Sequence, residues 1–400
     1  MKEDLSKLIE LYGTEISTDL SPDVYDYVLL NLKRIKNHRL KFDIPVIGIA
    51  GKHGKTITKR MLTSILSEKG KILETPLFSR TATNVTSTLI KLNENYDYVL
   101  LEFGIQHEQQ FKLAAEIAQP NLVVFTNIGE TNYAYLGDRV LVSEIKAELI
   151  KNLPPDGVAV LNFDDDLCNM LEKYAQTPNV IKFGLNPNSH FHASDLKYLG
   201  PEGIKFKLNS LFDVHLPVFS ISEIYNALAA IATTRGLGID IEESLSLLEK
   251  NFVIPPGRGN LVEANNFRIL DFSYDASPDT VSKAARALID FKKYSSNLIM
   301  IIGEMGDFQD KNEFYYSNVG FYLGALPIDV FITIGRKAKI IADGIKKVNA
   351  TKKEIYSFIG NDLEGISQVV NQFKKPDSTV LITGSYQQEL HTTVQHLANM

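Results

Sequence analysis

The chain has 400 residues, of which 44% are hydrophobic and 22% charged, a balance typical of a globular protein with two or three domains. Its 42 basic and 48 acidic residues give a net charge of −6, which argues against a nucleic-acid-binding surface, because such surfaces need clustered Lys and Arg. The single cysteine, Cys168, excludes a disulfide framework and a four-cysteine zinc site. The N-terminus lacks the order of a signal peptide, and no apolar run approaches the ~18 residues of a membrane helix. These features predict a soluble, cytoplasmic protein that binds neither nucleic acid nor a membrane.

The order of the predicted elements divides the chain into three parts. Residues 1–42 have apolar residues at helical spacing and predict a short helical N-terminal segment. Short apolar strands then alternate with helices, which predicts a central P-loop-type domain with a mostly parallel α/β sheet. A Pro/Gly-rich junction near residue 256 precedes a second such series, which predicts a C-terminal Rossmann-like α/β domain. The predicted domains are therefore 1–42, 43–256 and 257–400.

The run over residues 180–216 predicts antiparallel strands appended to the central sheet. His190 and His192 have strand spacing within it. They are interpreted as surface or packing residues, with a metal-binding pair as the alternative. A helical pair follows this run and precedes the junction.

The stretch GIAGKHGKTIT (48–58) lies between a predicted strand and a predicted helix, the setting of a phosphate-binding loop. Its glycines let backbone N–H groups close on an anion, and the helix N-terminus adds a favourable dipole. Lys55 is predicted to contact the β- and γ-phosphates of a nucleotide, and the Thr56 hydroxyl to bind Mg²⁺. A glycine-rich turn without a ligand is the alternative. The predicted nucleotide-binding residues of this loop are Gly51, Lys52, His53, Gly54, Lys55, Thr56 and Ile57.

The loop departs from the usual Walker spacing, because Ile49 stands where the first glycine is expected. With this spacing it resembles the ATP-binding loop of the Mur ligase family, whose members join a carboxylate to an amine. The resemblance extends from about residue 44 to the end of the chain. It passes through the segments LEFGIQH (101–107), TNIGETN (126–132) and PGR (256–258). It implies ATP and Mg²⁺ as cofactors.

The resemblance implies roles for residues of the central domain outside the loop. Glu102 matches a Mg²⁺-binding glutamate of the family, and a carboxylate suits this hard cation. Asn132 stands where the family has a metal-binding histidine, and it is a weaker ligand there. Lys146 matches a lysine that family members often carry as a carbamate able to bind Mg²⁺, with a surface lysine on an amphipathic helix as the alternative. His107 is a candidate substrate contact.

Asn226 retains the second of two asparagines that the family often has, while Glu223 replaces the first. An amide offers adenine a donor and an acceptor together, so Asn226 is a candidate ATP contact, with helix packing as the alternative. The resemblance implies that Arg258, in the Pro-Gly-Arg junction, reaches the nucleotide when the C-terminal domain closes. Ser273 and Tyr274 lie in a segment that resembles the family branch adding D-alanyl-D-alanine, and they are candidate substrate contacts. Other positions differ from that branch, namely Phe272, Asp275, Ser277 and Thr383.

The resemblance implies an ATP-dependent ligase for a small-molecule carboxylate and an amine. ATP phosphorylates the carboxylate, the amine attacks the acyl phosphate, and ADP and phosphate are released. The segment 1–42 is much shorter than the domain with which family members bind a UDP-sugar, so a substrate without UDP is expected. The predicted catalytic residues are Lys55, Glu102, Lys146 and Arg258.

Two alternative hypotheses remain at this point. A ligase-like protein with lost ligase activity would bind or hydrolyse ATP and act through a partner protein. It is favoured by the positions at which a familiar polar group is replaced, namely Asn132, Glu223, Asp275 and Thr383. A plain P-loop kinase would phosphorylate a small molecule and stop, a hypothesis that the second α/β domain disfavours.

Overall fold

A computed structural model describes residues 32–76, 82–105, 108–128, 139–306, 308, 311–348 and 353–400. The chain forms two compact units. The first unit comprises Met1–Ser194, Lys207–Val214 and Ile224–Phe252. The second comprises Asp195–Phe206, His215–Glu223 and Val253–Met400. Most of the predicted helical N-terminal segment lies outside the described residues, and 32–39 form a helix. The three predicted domain ranges stay a prediction.

Among the described residues, the first sheet has nine strands in the order β2-β3-β1-β4-β5-β6-β7-β8-β9. The strands are β1 Val46–Ala50, β2 Ile72–Glu74, β3 Tyr98–Phe103, β4 Leu122–Phe125, β5 Val158–Asn162, β6 Val180–Gly184, β7 Phe191–Tyr198, β8 Ile204–Leu208 and β9 Phe212–Leu216. Strand β1 lies between β3 and β4 and is parallel to both. The carboxyl ends of these three strands therefore meet at one edge of the sheet, where ligands bind in open α/β folds.

Helices follow most of these strands and bury the apolar side chains of the sheet. Their bounds are Lys55–Leu66, Ala82–Leu89, Glu108–Ala118, Arg139–Lys151, Asp166–Asn169, Ile221–Gly236 and Ile241–Asn251. One core cluster joins strand residues such as Val99 and Phe125 to helix residues such as Phe111 and Ile145, all at most 2% exposed. Because these strands are covered, they read as continuous apolar runs in the sequence. None of the described helices is both long and apolar enough to cross a bilayer.

The antiparallel extension predicted over 180–216 is wrong at its start. Strand β6 pairs in parallel with β5, with Val180 beside Ala159. Strand β7 continues in parallel register, with Phe191 beside Phe183. A parallel pair needs a crossover, and here the crossover from β5 consists of the short helix Asp166–Asn169 and the 3₁₀ turn Met170–Tyr174. These pieces are too short to give the amphipathic pattern by which a crossover is recognised in sequence.

The second sheet has the strand order β10-β11-β15-β12-β13-β14. Its strands are β10 Asn260–Ala264, β11 Phe267–Phe272, β12 Leu298–Ile302, β13 Val330–Ile334, β14 Glu354–Phe358 and β15 Ser378–Thr383. All its pairs are parallel except the β10–β11 hairpin, which the sequence analysis did not predict. The helices of this unit are Pro278–Asp290, Asn312–Gly324, Ala338–Val348, Leu363–Phe373 and His391–Ala398. The predicted fold class, α/β with mostly parallel sheets, is confirmed.

Ser277 shows how local sequence sets a boundary in this unit. Its hydroxyl accepts a hydrogen bond from the Thr280 N–H at 3.2 Å, and the Thr280 hydroxyl accepts one from the Ser277 N–H at 2.7 Å. This reciprocal capping satisfies two donors at the start of the helix Pro278–Asp290. The residue at this position, one of those that depart from the family branch, therefore has a structural role.

Arg39 fastens the described part of the N-terminal segment to the first unit. It is 4% exposed, and its guanidinium donates to the Ala118 and Phe42 carbonyls and to the Asn121 Oδ1, at 3.2, 2.9 and 2.9 Å. The same Asn121 oxygen accepts from the Val46 N–H, where β1 begins. The guanidinium thus ties the segment to the end of a helix and the start of the central strand.

We expect Arg39→Ala to lower the free energy of unfolding by about 3 kcal/mol, because several buried acceptors lose a charged donor. Urea unfolding measures this loss. The control is Lys36→Ala, which removes a pair with the exposed Glu116 and should cost less than about 1 kcal/mol. Equal losses in the two variants would contradict the anchoring role.

Candidate functional site

The loop after β1 is shaped as a cradle for an anion. Gly54 has φ +85° and immediately precedes the helix Lys55–Leu66, whose first N–H groups have no partner within the helix. A Cβ atom on Gly54 would lie 2.2 Å from the Asn226 Oδ1. One on Gly51 would lie 1.9 Å from the Thr126 Oγ1. Both positions therefore require glycine, and the helix N-terminus behind them suits a phosphate.

The segment after β4 holds this loop in shape. The Asn127 Oδ1 accepts from the N–H groups of Lys52 and His53, both at 3.1 Å, and its amide donates to the His53 carbonyl at 3.0 Å. The Thr126 hydroxyl donates to the same carbonyl at 2.6 Å. The segment TNIG is part of the family resemblance, but its sequence predicted no role for Asn127. Its contacts pre-organise the loop before any ligand binds.

Lys55 lies against the loop that it follows. Its side chain is buried, and its ammonium donates to the Gly51 carbonyl at 2.8 Å and to the Lys52 carbonyl at 3.1 Å. A cation held beside a cradle of backbone N–H groups is the arrangement that binds the terminal phosphates of a nucleotide.

Thr56 and Glu102 come together at the edge formed by β1 and β3. The Thr56 hydroxyl donates to the Glu102 Oε2 at 3.0 Å, and Glu102 is fully buried. In the described part of the chain, no three His, Cys, Asp or Glu side chains cluster as a metal site. Two hard protein oxygens beside a phosphate cradle fit Mg²⁺, which keeps several waters and binds with the nucleotide.

Lys59 is a residue of this site that the sequence analysis missed. It is fully buried, and its ammonium lies 3.1 Å from the Glu102 Oε1 and donates to the Thr75 carbonyl. The Thr75 hydroxyl in turn accepts from the Glu102 N–H at 3.1 Å. The signal in the sequence is a lysine three residues after Thr56 on the helix face that packs against β3, a position where an unpaired charge is costly.

Lys146 lies in the interior, within the helix Arg139–Lys151. It is 2% exposed, and its ammonium donates to the Ile128 carbonyl at 3.2 Å. Burial lowers the pKa of the Lys146 ammonium to about 7, against an opposing influence of Asp165. The surface-lysine alternative does not fit this position. At neutral pH a substantial part of the amine is neutral and able to react as a nucleophile.

The lowered pKa of Lys146 predicts a pH-dependent stability. Between pH 7 and the ordinary value of 10.5, the folded chain binds fewer protons at this residue than the unfolded chain. The free energy of unfolding should therefore rise with pH in this window, by at most about 1.4 kcal/mol per pH unit from Lys146. Lys146→Met should flatten the rise, measured by urea unfolding in CO₂-free buffer. Lys151→Met, at an exposed position of the same helix, should keep the wild-type slope; equal slopes in all three proteins would contradict the assignment.

Asn226 is buried on the helix Ile221–Gly236 beside the phosphate loop. Its Oδ1 accepts from the Thr58 hydroxyl at 3.3 Å and is the atom nearest to a Cβ built on Gly54. In this structure the side chain thus packs against the loop helix, and its contact with adenine stays a prediction. Two further predicted residues, His107 and Asn132, lie outside the described residues.

The other predicted site residues lie in the second unit. The guanidinium of Arg258 stacks 3.8 Å from the centre of the Tyr274 ring, a cation–π contact. Asp271, at the end of β11, accepts from the Gly257 N–H at 2.9 Å and the Ser273 N–H at 3.0 Å. The junction loop and the candidate substrate residues are thus fixed to each other by one buried carboxylate. Arg258, Ser273 and Tyr274 thus lie together in the second unit. The first unit brings together Lys55, Thr56, Glu102 and Asn226.

Two replaced positions are also buried in the second unit. Thr383 ends β15, fully buried, and its hydroxyl has no hydrogen-bond partner among the described residues. Burial raises the pKa of the Glu223 carboxyl to about 7, although Ser220 opposes this by donating to it. His190 and His192, interpreted from the sequence as surface or packing residues or a metal pair, lie in the first unit, where His190 accepts from the Lys182 N–H at 2.9 Å just before β7 and His192 lies within β7.

Comparison with known proteins places these features in a family context. Residues 49–234 match the model of the Mur ligase middle domain, and residues 257–386 match that of the Mur ligase glutamate ligase domain. The UDP-N-acetylmuramoyl-tripeptide–D-alanyl-D-alanine ligases of Synechocystis sp. and Escherichia coli are each 27% identical over 73% and 74% of this chain. The chain spans only 62% and 66% of those relatives.

Solved structures show the same fold. MurF from Acinetobacter baumannii superposes with a TM-score of 0.82 at 24% identity, covering 92% of this chain and 80% of that chain. MurF from Thermotoga maritima in complex with ADP gives 0.79 at 23% identity, covering 93% of this chain and 83% of that chain.

Proposed function

We propose that this chain, which belongs to the Mur ligase family, is an ATP-dependent ligase that joins a carboxylate to an amine. The observation that carries the proposal is the pairing of Thr56 with Glu102 at the mouth of a glycine cradle that also holds Lys55. The loop would bind the phosphates, the Lys55 ammonium would offer them a positive charge, and Thr56 and Glu102 would offer two hard oxygens to a metal ion. The Thermotoga relative binds ADP, which supports a nucleotide in this cradle.

In the proposed reaction, a carboxylate oxygen of the substrate attacks the γ-phosphorus of ATP, and the bond to ADP breaks. The amine nitrogen then attacks the acyl phosphate carbon, phosphate leaves, and the nitrogen loses a proton. Mg²⁺, held by Thr56, Glu102 and the phosphates, would neutralise charge on the transferring group. Lys55 would hold the terminal phosphates in line, and the loop N–H groups would fix the orientation of the nucleotide.

Further residues enter this proposal through the family resemblance. A carbamate on Lys146 would form when its neutral amine attacks CO₂ and the nitrogen releases a proton, and this anion and Asn132 are the residues that would hold a second cation. Asn226 and Arg258 would bind the nucleotide, and the substrates would contact His107, Ser273 and Tyr274. The carbamate is tested with ¹³C-bicarbonate, whose NMR signal on the protein should be absent from Lys146→Arg.

The experiment that tests the ligase measures ADP and phosphate release. Purified protein, Mg²⁺, bicarbonate and ATP are mixed with carboxylates and amines, beginning with the substrates for which the curated relatives are named. Fractionated small-molecule extract is then tested in the same assay as a source of other carboxylates and amines. Release that needs both a carboxylate and an amine, with an amide in the mass spectrum, is the expected result. AMP in place of ADP would contradict the acyl-phosphate route, and a phosphoester product would indicate a kinase.

A second candidate is a ligase-like protein that binds ATP and acts through a partner protein. Thr383 favours it, because a short, buried hydroxyl stands where the related branch has a lysine. This candidate predicts ATP binding without turnover in every substrate mixture, and turnover only when a partner protein is added.

A further inference from the structure

We infer that Lys59 is a positioning residue that leaves Glu102 a single oxygen for the metal and thereby favours Mg²⁺ over Ca²⁺. The inference rests on the proposed function, because it concerns the cation that accompanies the nucleotide. It assigns a role to a residue outside the set predicted to bind the nucleotide or the cation.

The two carboxylate oxygens of Glu102 have different partners. Its Oε1 lies 3.1 Å from the Lys59 ammonium, and both side chains are fully buried. Its Oε2 accepts from the Thr56 hydroxyl at 3.0 Å. One oxygen thus faces a fixed cation, and the other faces the phosphate loop. A metal ion that approaches from the loop meets Oε2 alone.

The lysine is itself held in place. Its ammonium donates to the Thr75 carbonyl just after β2, and the Thr75 hydroxyl accepts from the Glu102 N–H at 3.1 Å. The Glu74 Oε2 lies 4.0 Å from the same ammonium. The Thr75 carbonyl and hydroxyl and two carboxylates therefore lie around the Lys59 ammonium. These contacts keep the carboxylate of Glu102 from rotating to present both oxygens.

One available oxygen matters for the choice of cation. Mg²⁺ demands a near-octahedral shell and takes single carboxylate oxygens together with waters and phosphates. Ca²⁺ accepts more ligands and often binds both oxygens of one carboxylate. An ammonium 3.1 Å from Oε1 disfavours the two-oxygen mode, so it weakens Ca²⁺ more than Mg²⁺.

A buried pair is not explained by stability alone. Removing two charges from water costs about as much free energy as their mutual attraction gains. Replacing such a pair by apolar residues often leaves the stability of the protein unchanged. A fully buried lysine beside a candidate metal ligand therefore points to a role in the site.

The test measures metal binding rather than turnover. Mn²⁺ binding to the ADP-bound protein is followed by electron paramagnetic resonance, and Mg²⁺ and Ca²⁺ compete for the site. Lys59→Met frees the Glu102 Oε1, so it should strengthen Ca²⁺ binding more than Mg²⁺ binding and lower the preference for Mg²⁺ over Ca²⁺ about tenfold, the order of effect found for groups that support a metal ligand. Lys59→Arg, which keeps the cation, should retain most of the preference.

The matched control is Lys353→Met. Lys353 also donates to backbone carbonyls, those of Gly324 and Leu326, but it lies in the second unit. This variant should bind metal as the wild type does. ADP binding without metal should be unchanged in all variants.

The outcomes separate the inference from the proposed function. If the wild type binds no metal with ADP, the proposed function fails. If the wild type binds metal and Lys59→Met keeps the wild-type preference for Mg²⁺ over Ca²⁺, the inference is overturned. If Lys59→Met does not fold, Lys59→Gln, which keeps a donor for Thr75, is judged by the same criteria.

Discussion

Lys55→Ala is expected to reduce ADP formation by about a hundred- to a thousandfold, the loss found when one preorganised charge-stabilising donor is removed. The ammonium of Lys55 is held against the loop by the Gly51 and Lys52 carbonyls, at 2.8 and 3.1 Å. It is thus placed beside the anion cradle before the nucleotide binds. Its removal should lower kcat more than it weakens ADP binding, because the charge on the transferring phosphoryl group is largest in the transition state. A coupled ADP-release assay and ADP titration give the two quantities.

The control for this variant is Lys69→Ala. Lys69 lies just after the same helix, on the surface, where it pairs with Glu243 at 2.8 Å. Its loss removes one positive charge without touching the loop, so turnover should remain within a factor of about two. Turnover by Lys55→Ala at the wild-type rate would exclude the loop from the reaction. Thermal unfolding of both variants shows whether the loop fold survives.

The strands around the site could be predicted because they are buried on both faces. Parallel strands such as β1, β3 and β4 have continuous apolar sequences bounded by polar loops, a pattern that is local. Glycine positions in the loop could be predicted for the same reason, since the strand, loop and helix are consecutive. The pairing of Thr56 with Glu102 follows from the rule that neighbouring parallel strands end at one edge.

The partners of those residues could not be predicted, because they depend on contacts between distant parts of the chain. Lys59 reads as one charged residue in an amphipathic helix until β2 and β3 are seen to enclose it. Asn127 reads as a loop residue until its amide is seen to bind Lys52 and His53. The direction of strand β6 could not be predicted, because its crossover from β5 is too short to show a helical period.

Glu102→Gln is expected to have two separable effects. It removes the charge that would bind the cation, which should lower ADP formation about a hundredfold or more. It also leaves the fully buried Lys59 without its nearer anion, with only Glu74 at 4.0 Å, at a cost of up to about 3–5 kcal/mol in the free energy of unfolding. Turnover assays and urea unfolding measure the two effects on the same preparation.

The double variant Glu102→Gln with Lys59→Met distinguishes the two causes. It removes both charges of the buried pair, so most of the lost stability should return, whereas turnover and Mn²⁺ binding should stay low because the carboxylate is still absent. Recovery of turnover along with stability would mean that Glu102 serves the fold and not the cation. Stability that stays low in the double variant would mean that the buried pair itself contributes to folding. Since both side chains are 0% exposed, solvent does not screen either result.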